Sequence, residues 1–531
     1  MTKKKDKTAI PSDSSLTRRQ FNAGAAALGA AAAASMAAGR TRPASAQATP
    51  KKGGKVKVAW DSTSAKDTMD PAKTLISLDL GRATFTYNRL VDVAPDGKLR
   101  PALADSWESN KTADEWVFKL RQGVTFHNGK TLTADDVIYT IRRVLDPNVG
   151  SAARAQLGDV DGNALKADDP RTLRIKLTSP NADLPALMTL YHLHVVPDGY
   201  TDFSKPIGTG PFVCKSFEAG LNSIHVRNPN YWRGDGKPYL DEIEAIGIPD
   251  PTARFNSLVA GDIQAMTKLD ASLLARAKTM QGIDVLSVPG PSHATYPMRS
   301  DAPPFDNNDI RLAMKYAIDR KKILELAYAG QGVVGYDHPV PSFDPYFCAD
   351  IPLKPYDPDK VKFHLKKAGA ENTVFELYTA TSIQGGVDAA NIYAEMANKA
   401  GAKIKVVQAP ADGYFNSIWM KKPWAMSFWW GRPTADSVMS VTYLSDAKWN
   451  EGAWKNPKFD QILKEARGLT DVAKRKQLYC DAQRILADDG PTVIPVFSNW
   501  LDAKSPKLKG IVNHPLGPLG WYLWDSAYLD A

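Results

Sequence analysis

The sequence predicts an α/β protein of two lobes whose functional region lies between the lobes. Three observations carry that reading. The chain has 531 residues, more than one hydrophobic core accommodates, so two or three domains are expected. Residues 371–408 spell strand, helix, strand, which is most simply a parallel pair with a crossover helix. After residue 50, short strands and helices alternate irregularly, with no repeat and no low-complexity stretch.

Taken in order, Lys55–Trp60 reads as a strand with Val56 and Val58 on one face. A turn at Pro95-Asp96-Gly97 separates two extended pieces, as in a hairpin. Trp116–Leu120 is a further strand. Thr133 followed by Asp136 resembles a capping box with Asp in the Glu place. The helix it opens sets Val137, Ile138, Ile141, Val144 and Leu145 at helical spacing. Leu173, Ile175 and Leu177 alternate as a half-buried strand. Asp250-Pro251 opens a helix that Gly261 ends, and Asp357-Pro358 opens one that Gly369 closes. A helix over about 387–400 stops at Gly401, between strands at Val374–Thr379 and Lys403–Gln408.

The formal charge is +9, but residues 1–46 hold eight Lys/Arg against two Asp, and the remainder carries only +3. That balance excludes a nucleic-acid partner. The first residues read as an export address. Lys3, Lys4, Lys5 and Lys7 precede Thr17-Arg18-Arg19-Gln20-Phe21 and an Ala/Gly run, with cleavage sites near Ala46 or Ala48. This is a signal of twin-arginine character, with a Sec-type signal as the alternative. Cleavage would release the mature chain into a periplasm. Three cysteines, Cys214, Cys348 and Cys480, permit one disulfide, and spacing leaves the pair open.

Catalytic signatures are missing. There is no HExxH, GxSxG, GxxxxGK[ST] or complete GxGxxG. Gly208-Thr209-Gly210 reads as a turn, and His127, in FHNGK, as a locally bonded turn residue. His192 and His194 would share one face of a strand, without the Cys or His needed to complete a metal site. No enzyme activity, cofactor or metal is expected.

Residues 101–144 read PALADSWESNKTADEWVFKLRQGVTFHNGKTLTADDVIYTIRRV. PIGTGPF follows at 206–212, NPNYW at 228–232, LVAGDIQA at 258–265, PPFDNNDIRLAMKYAIDR at 303–320 and YDPDKVKFHLKKAG at 356–369. This ordered set closely resembles the family 5 extracytoplasmic solute-binding proteins, the dipeptide, oligopeptide and nickel receptors of ABC importers. The resemblance implies a bilobed periplasmic binding protein fold with an extra inserted domain. Residues 49–88, 205–300 and 499–531 would form the first, discontinuous domain. Residues 89–204 would be the insertion and 301–498 the second lobe. It also implies a monomer that passes a small-molecule or peptide ligand to an inner-membrane ABC permease with a cytoplasmic ATPase.

Residues 427–436, SFWWGRPTAD, set two tryptophans, an arginine and an aspartate in ten positions. In peptide-binding members an aspartate after a strand of the second lobe holds the α-ammonium. Counting from Trp430, Asp436 falls at that place. Trp429 and Trp430 would wall the pocket, and Arg432 would receive a carboxylate in fork geometry. The alternative has Asp436 capping the helix through Val438–Thr442, paired with Arg432. Arg299, in YPMRSD, would reach the cleft or sit solvated in a linker. Tyr414 is a further contact candidate. The expected solute is a small zwitterion, a di- or oligopeptide first. The alternatives are an opine, a sugar conjugate, a nickel chelate, a twin-arginine-exported enzyme, or a chaperone or sensor partner.

Overall fold

The structure is a computed structural model that describes residues 50–530 apart from 384, 412, 433 and 520–523. The expected signal segment and its cleavage sites lie outside the described residues. Among the described residues no helix is long and apolar enough to cross a membrane.

The central feature is a ten-stranded mixed sheet. Its main path runs Ser427–Trp429, Asp284–Pro297, Val496–Lys504, Ala265–Met266, Lys55–Trp60, Glu242–Gly247, Asn222–Arg227, Phe212–Glu218. Lys55–Trp60 is parallel to both of its neighbours, while the outer pairs are antiparallel. Val58, Ala59 and Trp60 are buried, as expected for a central strand whose two faces are both covered.

Two long strands, Asp284–Pro297 and Val496–Lys504, connect separate hydrophobic cores. Val285 and Leu286 at one end, with Leu501 and Ala503, pack among Phe255, Met266, Val58 and Trp60. Ala294, Tyr296 and Val496 at the other end join the core of Phe375, Leu377, Tyr393 and Trp424. The ladder between these strands is regular from Asp284↔Lys504 to Pro289↔Asn499, then shifts register before His293↔Phe497. The irregularity holds Pro289, Gly290 and Pro291, residues that cannot continue an even ladder.

A third core lies within 72–195. The strands Ala104–Ser109, Glu115–Leu120, Thr172–Lys176 and Lys166–Asp169 form a four-stranded antiparallel sheet. The helix Ala134–Leu145 covers it with Val137, Ile138, Ile141 and Val144. Asp136 accepts from the Thr133 backbone N–H at 2.8 Å, so Asp serves as the back-reaching partner of the cap. The hairpin around 95–97 pairs Val91–Val93 with Leu99–Pro101.

The strand–helix–strand unit is present with parallel pairing, Val374↔Lys403 to Thr379↔Gln408, around the helix Gly386–Ala400. Asp250 and Asp357 cap their helices as read. Cys348 and Cys480 form the disulfide, and Cys214 is the free thiol.

Three local readings change. His192 lies in the 3₁₀ turn Tyr191–Leu193, with His194 just after it, and not on a strand. Each imidazole binds a backbone carbonyl, Thr74 O for His192 and Tyr191 O for His194, so they do not converge on a metal. His127 bonds across the fold, donating from Nε2 to Gly210 O at 3.1 Å and accepting at Nδ1 from Gly208 N. Gly208 and Gly210 lie against the backbone of Thr86, where an added Cβ would stand 2.0 and 2.4 Å from its O and C atoms. Close approach, more than turning, requires glycine there.

Candidate functional site

The strand Ser427–Trp429 adds to the sheet edge at the register irregularity, pairing His293↔Trp429 and Ala294↔Phe428. The chain then turns at Gly431. A Cβ there would lie 1.9 Å from Pro291 Cγ, so only glycine lets this loop rest on the irregular segment. Thr434 caps the helix Ala435–Tyr443: its Oγ1 accepts from Ser437 N at 3.1 Å, and Ser437 Oγ returns the bond to Thr434 N.

Asp436 is therefore not the cap, because Thr434 two residues earlier already binds the free N–H of Ser437. It is buried in the first turn, and its Oδ2 accepts from Arg467 Nε at 3.0 Å. Its Oδ1 has no hydrogen-bond partner. Burial pushes the Asp436 carboxyl up to about 6, with Arg467 opposing and Asp183 adding. Arg467 also donates to Ser440 Oγ at 2.7 Å and stands 4.0 Å from Asp159. Asp183 pairs with Arg475, both largely buried. The Arg475 guanidinium lies 5.2 Å from the Tyr346 ring and 5.4 Å from the Tyr479 ring. Ala182 N donates to Arg467 O at 2.8 Å. This is a clasp between residues 159–183 and residues 436–479.

Arg432 faces a different set. Its guanidinium sits over the Trp429 ring at 5.8 Å. Its Nε is sealed from solvent with no hydrogen-bond partner. Among the described residues no carboxylate neutralises it; burial pulls its pKa down, and Tyr191 is the group that opposes this. The alternative in which Arg432 pairs with Asp436 is not seen; Asp436 pairs with Arg467 instead. Asp436 is turned toward Arg467, and Arg432 toward Tyr191, His192 and His293.

Both imidazoles are buried. His192 Nε2 donates to Thr74 O at 3.1 Å, and His293 Nδ1 to Pro291 O at 3.0 Å. Their other nitrogens, His192 Nδ1 and His293 Nε2, have no partner. Burial, with the Arg432 charge adding to it, holds each ring down to about 4. Both are neutral at pH 7 and present a lone pair.

The remaining candidates separate into exposed and braced. Trp430 is 51% exposed and stacks on Trp500 at 5.9 Å and 16°. It also meets Phe428 edge-on. Trp429 is buried, its Nε1 donating to Glu451 Oε1 at 3.1 Å. Glu451 also receives Trp419 Nε1 at 2.7 Å, and burial raises its pKa. The Tyr414 hydroxyl reaches two backbone carbonyls, Met426 O at 2.9 Å and Tyr378 O at 3.1 Å, which makes it a brace between strands. Arg299 forks onto Asp301 at 3.0 and 2.5 Å and donates to Met420 O, so its donors are engaged locally. The sequence reading missed Tyr191, His293, Arg467, Arg475 and Asp183. The signal available was weak: His192 was noticed for a metal, and a buried histidine without a cluster invites no other assignment.

The model for bacterial extracellular solute-binding proteins, family 5 middle region, matches residues 98–452. The chain belongs to the family 5 solute-binding proteins. It is similar to Heme-binding protein A of Haemophilus influenzae, 30% identical over 477 residues that cover 82% of this chain and 86% of that protein. It is 27% identical to the Dipeptide-binding protein of Escherichia coli over 470 residues, 81% of this chain and 87% of that one. Among solved structures, the ABC transporter-associated periplasmic binding protein DppA from Helicobacter pylori, in complex with peptide STSA, superposes with a TM-score of 0.74. That match is 22% identical and covers 91% of this chain and 99% of that one. Family 5 members with this fold are bilobed, with mixed α/β sheets, which is the fold class expected from the sequence.

Proposed function

We propose that this chain is the periplasmic receptor of an ABC importer. It captures a small solute, a di- or oligopeptide first, between two lobes and delivers it unaltered to the membrane permease. The lobes are residues 49–88, 205–300 and 499–531 with the insertion 89–204, and residues 301–498. Strands Asp284–Pro297 and Val496–Lys504 act as the hinge. The observation that carries this reading is the Arg432 guanidinium, which among the described residues lacks a counter-charge beside the register irregularity in those two strands. A protein rarely maintains such a charge unless something else neutralises it. Trp430 offers an exposed aromatic face close by in the chain. Family 5 members are binding proteins that work with a permease and an ATPase, and the relatives named for dipeptide and heme support a receptor role. The chain would be exported by its twin-arginine start and act as a monomer.

Ligand shifts such a receptor only through its preference for the closed form; moving from 1:99 to 99:1 takes about 5.5 kcal/mol. A thermal-shift screen of dipeptides, opines, sugars and nickel on the mature protein, followed by X-ray scattering, tests the proposal. The expected result is one solute class that raises the melting temperature, shrinks the radius of gyration and is recovered chemically intact. Recovery of an altered compound would refute it.

A further inference from the structure

Resting on the receptor reading, the inference concerns which end of the solute is held and by what. We infer that Arg432, His192 and His293 form a carboxylate-receiving pole. The carboxylate pairs with Arg432, N–H or O–H groups beside it donate to His192 Nδ1 and His293 Nε2, and no ammonium is required at Asp436.

The three unpartnered atoms give the chemistry. Arg432 Nε is a buried donor without an acceptor, while His192 Nδ1 and His293 Nε2 are buried without a donor. Arg432 lies over the Trp429 ring, Trp429 pairs with His293 at the sheet edge, and Gly431 rests on the Pro291 that His293 binds; the Arg432 charge also disfavours protonation of both rings, His192 included. An ammonium there would meet the guanidinium charge with no carboxylate to offset it. A carboxylate alone would satisfy Arg432 and repel the two lone pairs. A carboxylate with two neighbouring hydrogen donors satisfies all three, and with one donor it satisfies Arg432 and one imidazole. The last residue of a peptide supplies the carboxylate and, through its amide N–H, one of the two donors; a polar side chain or a bound water supplies the other. A hydroxy acid supplies a donor through its O–H.

Asp436 does not supply a matching ammonium pole by default. Its Oδ2 is occupied by Arg467, itself tied to Ser440. Its charge belongs to the clasp that also holds Asp183 and Arg475. Asp436 Oδ1 is unpartnered, but its charge is already met by Arg467, so the pole at Arg432 does not depend on an ammonium there.

Calorimetric titration with three matched probes, Ala-Phe, N-acetyl-Ala-Phe and Ala-Phe amide, tests the assignment on the full mature protein. The free and acetylated peptides are expected to bind within about threefold of each other. The amide is expected to be about a hundredfold weaker. Arg432→Met is expected to bring all three to the level of the amide. The same variant is expected to raise the ligand-free melting temperature by about 1–3 °C, because it removes a charge that nothing compensates. An amide that binds as tightly as the free dipeptide would overturn the pole and leave the receptor reading standing, as would a lower ligand-free melting temperature in Arg432→Met. If no peptide binds, gluconate and N-acetylglutamate are titrated next. Binding lost in Arg432→Met supports the pole, and silence from every probe refutes the pole and the receptor reading together.

Discussion

Two clusters of buried charge, reached from residues only four apart in the chain, behave in opposite ways. Around Asp436 the two arginines each have a carboxylate partner: Arg467 with Asp436, Arg475 with Asp183. Around Arg432 no carboxylate appears among the described residues, and three polar atoms lie buried and idle. The first arrangement is balanced in charge, although Asp436 Oδ1 and Asp183 Oδ2 are unpartnered, and it ties two parts of the fold together. The second is incomplete in the protein alone. The difference teaches where to look for function: an internally balanced network is explained by structure, and an unbalanced one asks for an external partner.

Arg475→Met should have the largest effect on stability. It would leave Asp183 buried without its cation, near Asp344 and Asp436. A loss of about 3–5 kcal/mol in urea unfolding is expected. A loss below about 1 kcal/mol would mean that the clasp carries little of the fold's stability.

Arg467→Met should come next, costing about 1–3 kcal/mol at pH 7.5. Its cost should shrink at pH 5, because an unpaired, buried Asp436 takes up a proton. A cost independent of pH would show that the arginine acts through packing alone.

Acidification should separate the two clusters by sign. The Asp436 carboxyl is raised to about 6 in the folded state, so its contribution is present at low pH and lost as pH rises toward 6. His192 and His293 are held near 4, below their ordinary value, so their contributions are present above about 6.5 and lost as pH falls. His293→Gln should therefore flatten the fall in stability between pH 7 and 5, and Asp436→Asn should steepen it. Each change is expected on the order of 1–2 kcal/mol, read from urea midpoints across that range.

The smallest effect on stability belongs to Trp430→Ala. Half of that side chain is already in water, so a loss below about 1 kcal/mol is expected. The same variant should weaken solute binding, measured by titration. Unchanged affinity would remove Trp430 from the site.

Local elements were legible because local chemistry fixes them. Asp250-Pro251 with Gly261, and the strands 374–379 and 403–408 around their helix, follow from caps, periodicity and turn residues within a few positions. The family followed from ordered motifs along most of the chain. The site was legible only in part. SFWWGRPTAD stands out in the sequence as unusual, and Arg432 as a carboxylate receiver is carried into the inference. The roles of its neighbours were not legible, because their partners arrive from far away. Asp183 meets Arg475, Ala182 meets Arg467, and His192 binds Thr74 from 118 positions away. Asp436 shows the limit of local reasoning. An aspartate before an apolar run suits a cap, yet Thr434 holds that place, and the carboxylate turns to an arginine 31 residues on.

If the proposed hinge holds, the interrupted ladder at Pro289–His293 puts a ligand-contacting side chain at the pivot itself. His293 follows the break, its Nδ1–H donates to Pro291 O, and Gly431 rests on that same proline. A guest touching His293 would act with almost no lever arm, so grip and bending would not be separable steps. Stiffening the pivot, for instance by giving Gly431 a side chain, should then degrade recognition and motion in equal proportion.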